Sequence, residues 1–95
     1  MSKRVSLTLL TKPGCHLCDD ARSVVDGVRS TTAERGIETS FEEIDILGDP
    51  RLARLHGEEI PVLMLNGRRH AIWRIDPVRL AAAVERAAKP RLFSR

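Results

Sequence analysis

Two cysteines occur in the chain, Cys15 and Cys18, three positions apart at the seam between a strand-forming run and a helical stripe. That spacing at that seam constrains the fold more than any other feature. Two intervening residues let both sulfurs sit on the first turn of a helix, within reach of a small disulfide. The helix N-terminus offers unpaired N–H groups and partial positive charge, which favour a thiolate over a thiol. The pair therefore reads as redox chemistry first. A single bridge across two residues would restrain little unfolded chain, so a purely structural staple is a poor use of it.

The strand side is Val5 to Leu10, rich in β-formers and closed by Lys12-Pro13-Gly14. The helix side places Leu17, Ala21, Val24, Val25 and Val28 on one stripe, with Gly36 as a stop after Arg35. Glu38 to Ile46 reads as a second strand, bounded by Gly48. Asp49-Pro50 opens a short helix as cap and first residue, with Leu52 and Leu55 inward and Gly57 closing it. Pro61 to Leu65 reads as a buried strand, Asn66-Gly67 as a hairpin turn, and His70 to Ile75 as the returning strand carrying Trp73 at its core or edge. Asp76-Pro77 repeats the cap, and Leu80, Ala81, Val84, Ala87 and Ala88 form the last helical face before Pro90. The order βαβαββα gives an α/β fold, a mixed four-stranded sheet with helices on both faces. One domain over 1–90 is expected, with 91–95 a loose basic tail.

Composition closes off several function classes. With two Phe, one Trp and no Tyr, the core must be aliphatic. Val5 to Leu10 is too short for a membrane span or signal segment, which predicts a cytoplasmic protein with no membrane partner. The +3 net charge is uneven: residues 1–67 carry eight Lys/Arg against eleven Asp/Glu, and residues 68–95 carry eight against two. The basic third, from Arg68 to Arg95, suits a solvated surface or an acidic partner. Nucleic acid is not expected, since no aromatics interleave with the charges. Zinc would need four ligands, and only His16, His56 and His70 are available to join the cysteines.

Lys12-Pro13-Gly14-Cys15-His16-Leu17-Cys18, followed by Asp19-Asp20 and later by Ile60-Pro61-Val62-Leu63, is similar to the small bacterial glutaredoxin-like proteins of the thioredoxin-fold superfamily. The resemblance covers nearly the whole chain. It implies a thiol-disulfide oxidoreductase in which Cys15 is the nucleophile and Cys18 resolves, with Lys12 and His16 stabilising the thiolate. It implies a cis Ile60-Pro61 bond facing the pair, backbone around Ile60 and Pro61 as a place for substrate to dock, and Arg74 as a carboxylate contact. No tightly bound cofactor is implied. Glutathione or another low-molecular-weight thiol, or a reductase, would supply electrons, and the substrate would be a disulfide-containing protein or a small-thiol disulfide. Two places depart from the pattern of ordinary glutaredoxins. His16-Leu17 replaces Pro-Tyr, and Trp73-Arg74-Ile75-Asp76 stands where Gly-Gly and an acidic residue would hold glutathione, so glutathione use does not follow. The alternative function is metal handling, as zinc or an iron–sulfur cluster shared between two subunits, through the same cysteines.

Overall fold

The computed structural model describes residues 4–89; the expected tail over 91–95 lies outside the described residues. The elements are β1 (Val5–Thr11), α1 (His16–Ala33), β2 (Thr39–Asp45), a 3-10 turn (Ile46–Gly48), α2 (Pro50–His56), β3 (Val62–Leu65), β4 (Arg68–Ile72) and α3 (Pro77–Ala88). Strands order as β2-β1-β3-β4, with β1 parallel to β2 and antiparallel to β3, and β3 antiparallel to β4. The expected mixed α/β sheet is present. A crossover helix forces the parallel pair, and the tight Asn66-Gly67 turn forces the antiparallel one. Both turn residues have positive φ, 52° and 81°, the geometry that matches strand twist.

Alternation along β1 divides the core into two layers. Val5, Leu7 and Leu9 face Ala21, Val25 and Val28 of α1 and Leu80, Val84 and Ala88 of α3. Leu10 and Val62 face the other way, where Ile46, Ile60, Leu52 and Ala53 close the second layer under α2. Helices thus cover both faces. Asp49 caps α2 by accepting from Arg51 N–H and Leu52 N–H, and Asp76 caps α3 by accepting from Val78 N–H and Arg79 N–H.

Several expectations are corrected. The returning strand runs over Arg68–Ile72 rather than His70 to Ile75. It stops because Trp73 adopts φ 66°, turning the chain out of the sheet. Trp73 is 52% exposed instead of packed in the sheet, and its side-chain N–H donates to Glu58 C=O at 3.2 Å. Leu55, expected inward, is 63% exposed, because a helix of seven residues reaches the sheet only with Leu52 and Ala53. Ile46 belongs to the 3-10 turn rather than to β2, whose last residue Asp45 caps that turn by accepting from Leu47 N–H.

Candidate functional site

β1, a central strand, delivers the chain to the cysteines at the end of the sheet where its C-terminus emerges. After Thr11, the Lys12-Pro13-Gly14 turn reverses direction with Gly14 at φ 75°, a conformation only glycine adopts at little cost. Cys15 follows in extended backbone as the N-cap of α1. Its sulfur accepts the Cys18 backbone N–H at 3.1 Å, in the place a Ser or Asp oxygen takes at an ordinary cap. The helix thereby spends an unpaired donor on sulfur. That donor meets the sulfur at the positive end of the helix dipole.

The cysteines are both free thiols and differ sharply in environment. Cys15 is partly exposed, while Cys18 is 1% exposed and packed with Leu10, Ile46, Ile60 and Val62. Burial pushes the Cys18 thiol up to about 11, helped by its contact with Cys15, while a Lys12 backbone hydrogen bond and the charge of Arg22 pull the other way. Cys15 is the more accessible of the two sulfur-bearing residues.

Both sulfurs line a cleft of about 400 Å³ bounded by Thr11, Lys12, His16, Asp19, Arg22, Glu43 and Asp45. The structure therefore brings Lys12, Cys15, His16 and Cys18 together. Lys12 and His16 are exposed on its wall. Ile60 and Pro61 are buried and joined by a cis peptide bond, and neither lines the cleft, although Ile60 belongs to the apolar cluster that holds Cys18. The Pro61 C=O accepts the Trp73 N–H at 2.8 Å, which occupies one acceptor position that substrate backbone would use. Arg74 is exposed one residue beyond Trp73 and is not on the cleft wall. Among the described residues, no group of three His, Cys, Asp or Glu side chains is arranged to hold a metal ion.

The sequence reading missed an ion-pair cluster beside the thiols. Arg22 donates to both Glu43 oxygens at 2.8 and 2.6 Å and to Asp19 at 2.8 Å, and the Thr11 hydroxyl donates to Glu43 at 3.3 Å. Arg22 holds the Glu43 carboxyl below its ordinary range. The two-pronged contact ties the first turns of α1 to β2, which fixes the cysteine turn against the sheet. Asp19 and Arg22 stand at i,i+3 and were visible as a helical pair. Glu43 was not, because its position depends on the parallel register that sets it opposite Leu9.

Comparisons with known proteins agree with this architecture. The model of the glutaredoxin-like domain (DUF836) matches residues 6–85. An uncharacterized protein of Mycobacterium tuberculosis (strain ATCC 25618 / H37Rv) is 31% identical over 87 residues, covering 88% of this chain and 87% of its own length. An X-ray structure of a structural-genomics target protein from X. campestris is 31% identical, with TM-score 0.67 over 87% of this chain and 99% of that one. A solution structure of a Nitrosomonas europaea protein shares the fold at 21% identity, with TM-score 0.70 over 87% and 94% of the two chains. Chloroplastic thioredoxin z shares it at 13% identity, with TM-score 0.69 over 87% and 77%.

Proposed function

The chain belongs to the glutaredoxin-like domain family, a thioredoxin-fold group whose fold suits thiol redox work, and from that premise we propose that it is a dithiol thiol-disulfide oxidoreductase. The observation that carries the reading is the Cys15 sulfur at the cap of α1, held by the Cys18 N–H at 3.1 Å and open to the cleft, with Cys18 buried directly behind it.

Cys15 thiolate attacks one sulfur of a substrate disulfide. The substrate S–S bond breaks, and the departing sulfur leaves as a thiolate with the bonding pair. Cys18 gives up its proton and attacks the Cys15 sulfur, breaking the mixed disulfide and releasing the second substrate thiolate. Two electrons have then passed to the substrate, and Cys15 and Cys18 are joined. A reductase or a low-molecular-weight thiol, glutathione among them, returns the pair to the dithiol. Lys12 supplies positive charge at the mouth of the cleft, as does His16 when protonated, and both favour the Cys15 thiolate. Substrate backbone docks beside the cis Ile60-Pro61 bond through groups other than the Pro61 C=O, which Trp73 N–H occupies, and Arg74, outside the cleft wall, is a contact for a carboxylate on the more distant part of the substrate. The substrates are disulfide-containing proteins or small-thiol disulfides.

The test is a count of leaving groups from dithiobis-nitrobenzoate, whose aryl thiolate is coloured. Reduced wild type releases two equivalents per chain, one for each attack. Cys18→Ser releases one and retains an aryl group on Cys15. Cys15→Ser releases none on the same timescale, because Cys18 is buried. Equal release from the two single variants would overturn the assignment of roles.

A further inference from the structure

Among the described residues, a second cluster of basic side chains lies away from the cysteines, between β4 and α3. A groove of about 470 Å³ is lined there by Leu65, Arg68, Arg69, His70, Ala83, Arg86 and Ala87. On α3, Arg79, Ala83 and Arg86 repeat at i, i+4 and i+7, which stacks them on one face. On β4, the register pairs Met64 with Arg69 and Leu63 with Ala71, so His70 is the extra residue of a bulge. Burial and the charges of Arg86 and Arg79 hold the His70 pKa below its ordinary value, so the guanidinium groups and the imidazole share one environment.

Counter-charge on this face reaches only Arg69, through Glu59. The acid within α3, Glu85, pairs instead with Arg35, and Glu59 pairs with Arg69 and His56. Arg68, Arg79 and Arg86 have no carboxylate partner among the described residues. Like charges gathered over a partly desolvated floor of small apolar side chains repel one another, and a bound anion relieves that repulsion.

The shape selects among anions. Arg79, on the same face of α3 but outside the groove lining, lies about 10 Å along the helix from Arg86, a span that matches three residues of extended polypeptide at about 3.3 Å each. No aromatic side chain lines the groove to stack a base. The groove opens beside β4, two strands and about 10 Å across the sheet from β1, and the register sets Arg68 level with Leu7, a further four residues or about 13 Å along the strand from Thr11, where β1 leads to the cysteine turn. An ordinary protein interface of about 800 Å² per partner covers both places.

We propose that the β4–α3 groove is a docking site for a short, extended, acidic segment of the protein that exchanges electrons with the Cys15–Cys18 pair. The identity of that protein as a redox partner rests on the dithiol reading; the binding of an acidic segment does not. The test uses a fluorescein-labelled peptide of alternating Glu and Ser, its Gln counterpart, and a DNA duplex of random sequence, each titrated with the reduced chain at low and moderate salt. The Glu peptide binds, the Gln peptide binds at least tenfold more weakly, and Arg79→Glu/Arg86→Glu weakens the Glu peptide at least tenfold. Arg68→Glu alone weakens it several-fold and guards against misfolding of the double variant. In wild type, the His70 ring resonances titrate at higher pH when the Glu peptide is bound. Both variants still release two aryl thiolates, which separates failure of docking from failure of the dithiol. Equal binding of the Gln peptide, undiminished binding to the variants, or an unmoved His70 titration would overturn the proposal. Tighter binding of DNA than of the Glu peptide at the same salt would overturn it in favour of nucleic acid.

Discussion

Burial of Cys18 has a consequence for stability that can be measured without any substrate. The Cys18 pKa is raised from 9.0 to about 11 in the folded reduced protein, chiefly by desolvation of a side chain that is 1% exposed. In the unfolded chain the thiol titrates at its ordinary value. Below pH 9 both states hold the proton and the full stability is present. Above it the unfolded state loses the proton while the folded state keeps it, so stability falls by about 1.4 kcal/mol per pH unit until the folded thiol also ionises. Across a two-unit gap the loss sums to about 3 kcal/mol. Urea unfolding of reduced wild type and of Cys18→Ala, at successive pH values from neutral to about 11, isolates this contribution from other titrating groups. Cys18→Ala also removes packing, which offsets its curve by a nearly constant amount and leaves the slope untouched. The stability difference between the two proteins shrinks by about 2 kcal/mol by pH 11, where the folded thiol is itself half ionised. If the two curves run parallel through it, Cys18 titrates alike in both states and the desolvation argument fails.

Three further outcomes follow from the same structure. Arg22 lowers the Glu43 pKa below 4.5, so that pair contributes stability above the ordinary carboxylate range and loses it as pH falls through the folded value; Glu43→Gln costs about 1 kcal/mol near neutral pH and flattens the acid limb of the stability profile, read by urea unfolding. Leu80, 0% exposed between α3 and the sheet, costs about 2–5 kcal/mol when cut to Ala, and the aryl-thiolate count of the variant stays at two wherever it is folded. Asn66 accepts the Ser6 N–H at 2.9 Å and holds φ 52° in the hairpin, so Asn66→Ala costs about 1–2 kcal/mol in thermal or urea unfolding without altering thiol chemistry.

What the sequence made legible was local. Asp49-Pro50 and Asp76-Pro77 announce helix starts because cap and first-turn chemistry are complete within a few residues, and both caps are in place. Asn66-Gly67 announces a hairpin because few residue pairs tolerate two positive φ values in succession. Val5, Leu7 and Leu9 against Leu10 give both layers of the core from one strand. The errors arose where distant partners decide. Trp73 looks like a strand residue by type, and its N–H still pairs with Pro61, but its φ of 66° turns the chain away and its indole reaches Glu58 instead of the sheet. Leu55 looks inward by spacing, but α2 is too short to bring it to the sheet. The Arg22–Glu43 contact needs the β1–β2 register, and the β4–α3 groove needs a bulge that turns His70 toward Arg79 and Arg86. In the site itself, Cys15 and Cys18 could be singled out by spacing, whereas the burial that separates their roles could not.

The central claim is that Cys15 and Cys18 act as one two-electron carrier. Its most direct test is the fraction of intramolecular disulfide at equilibrium across a series of reduced and oxidised glutathione mixtures, read by thiol alkylation and mass on metal-free protein. A single two-electron transition, with both thiols lost together and a midpoint between roughly −270 and −200 mV, is the expected result. Thiols that stay reduced across the whole series, or a glutathione adduct on Cys15 that accumulates without closing onto Cys18, would contradict it.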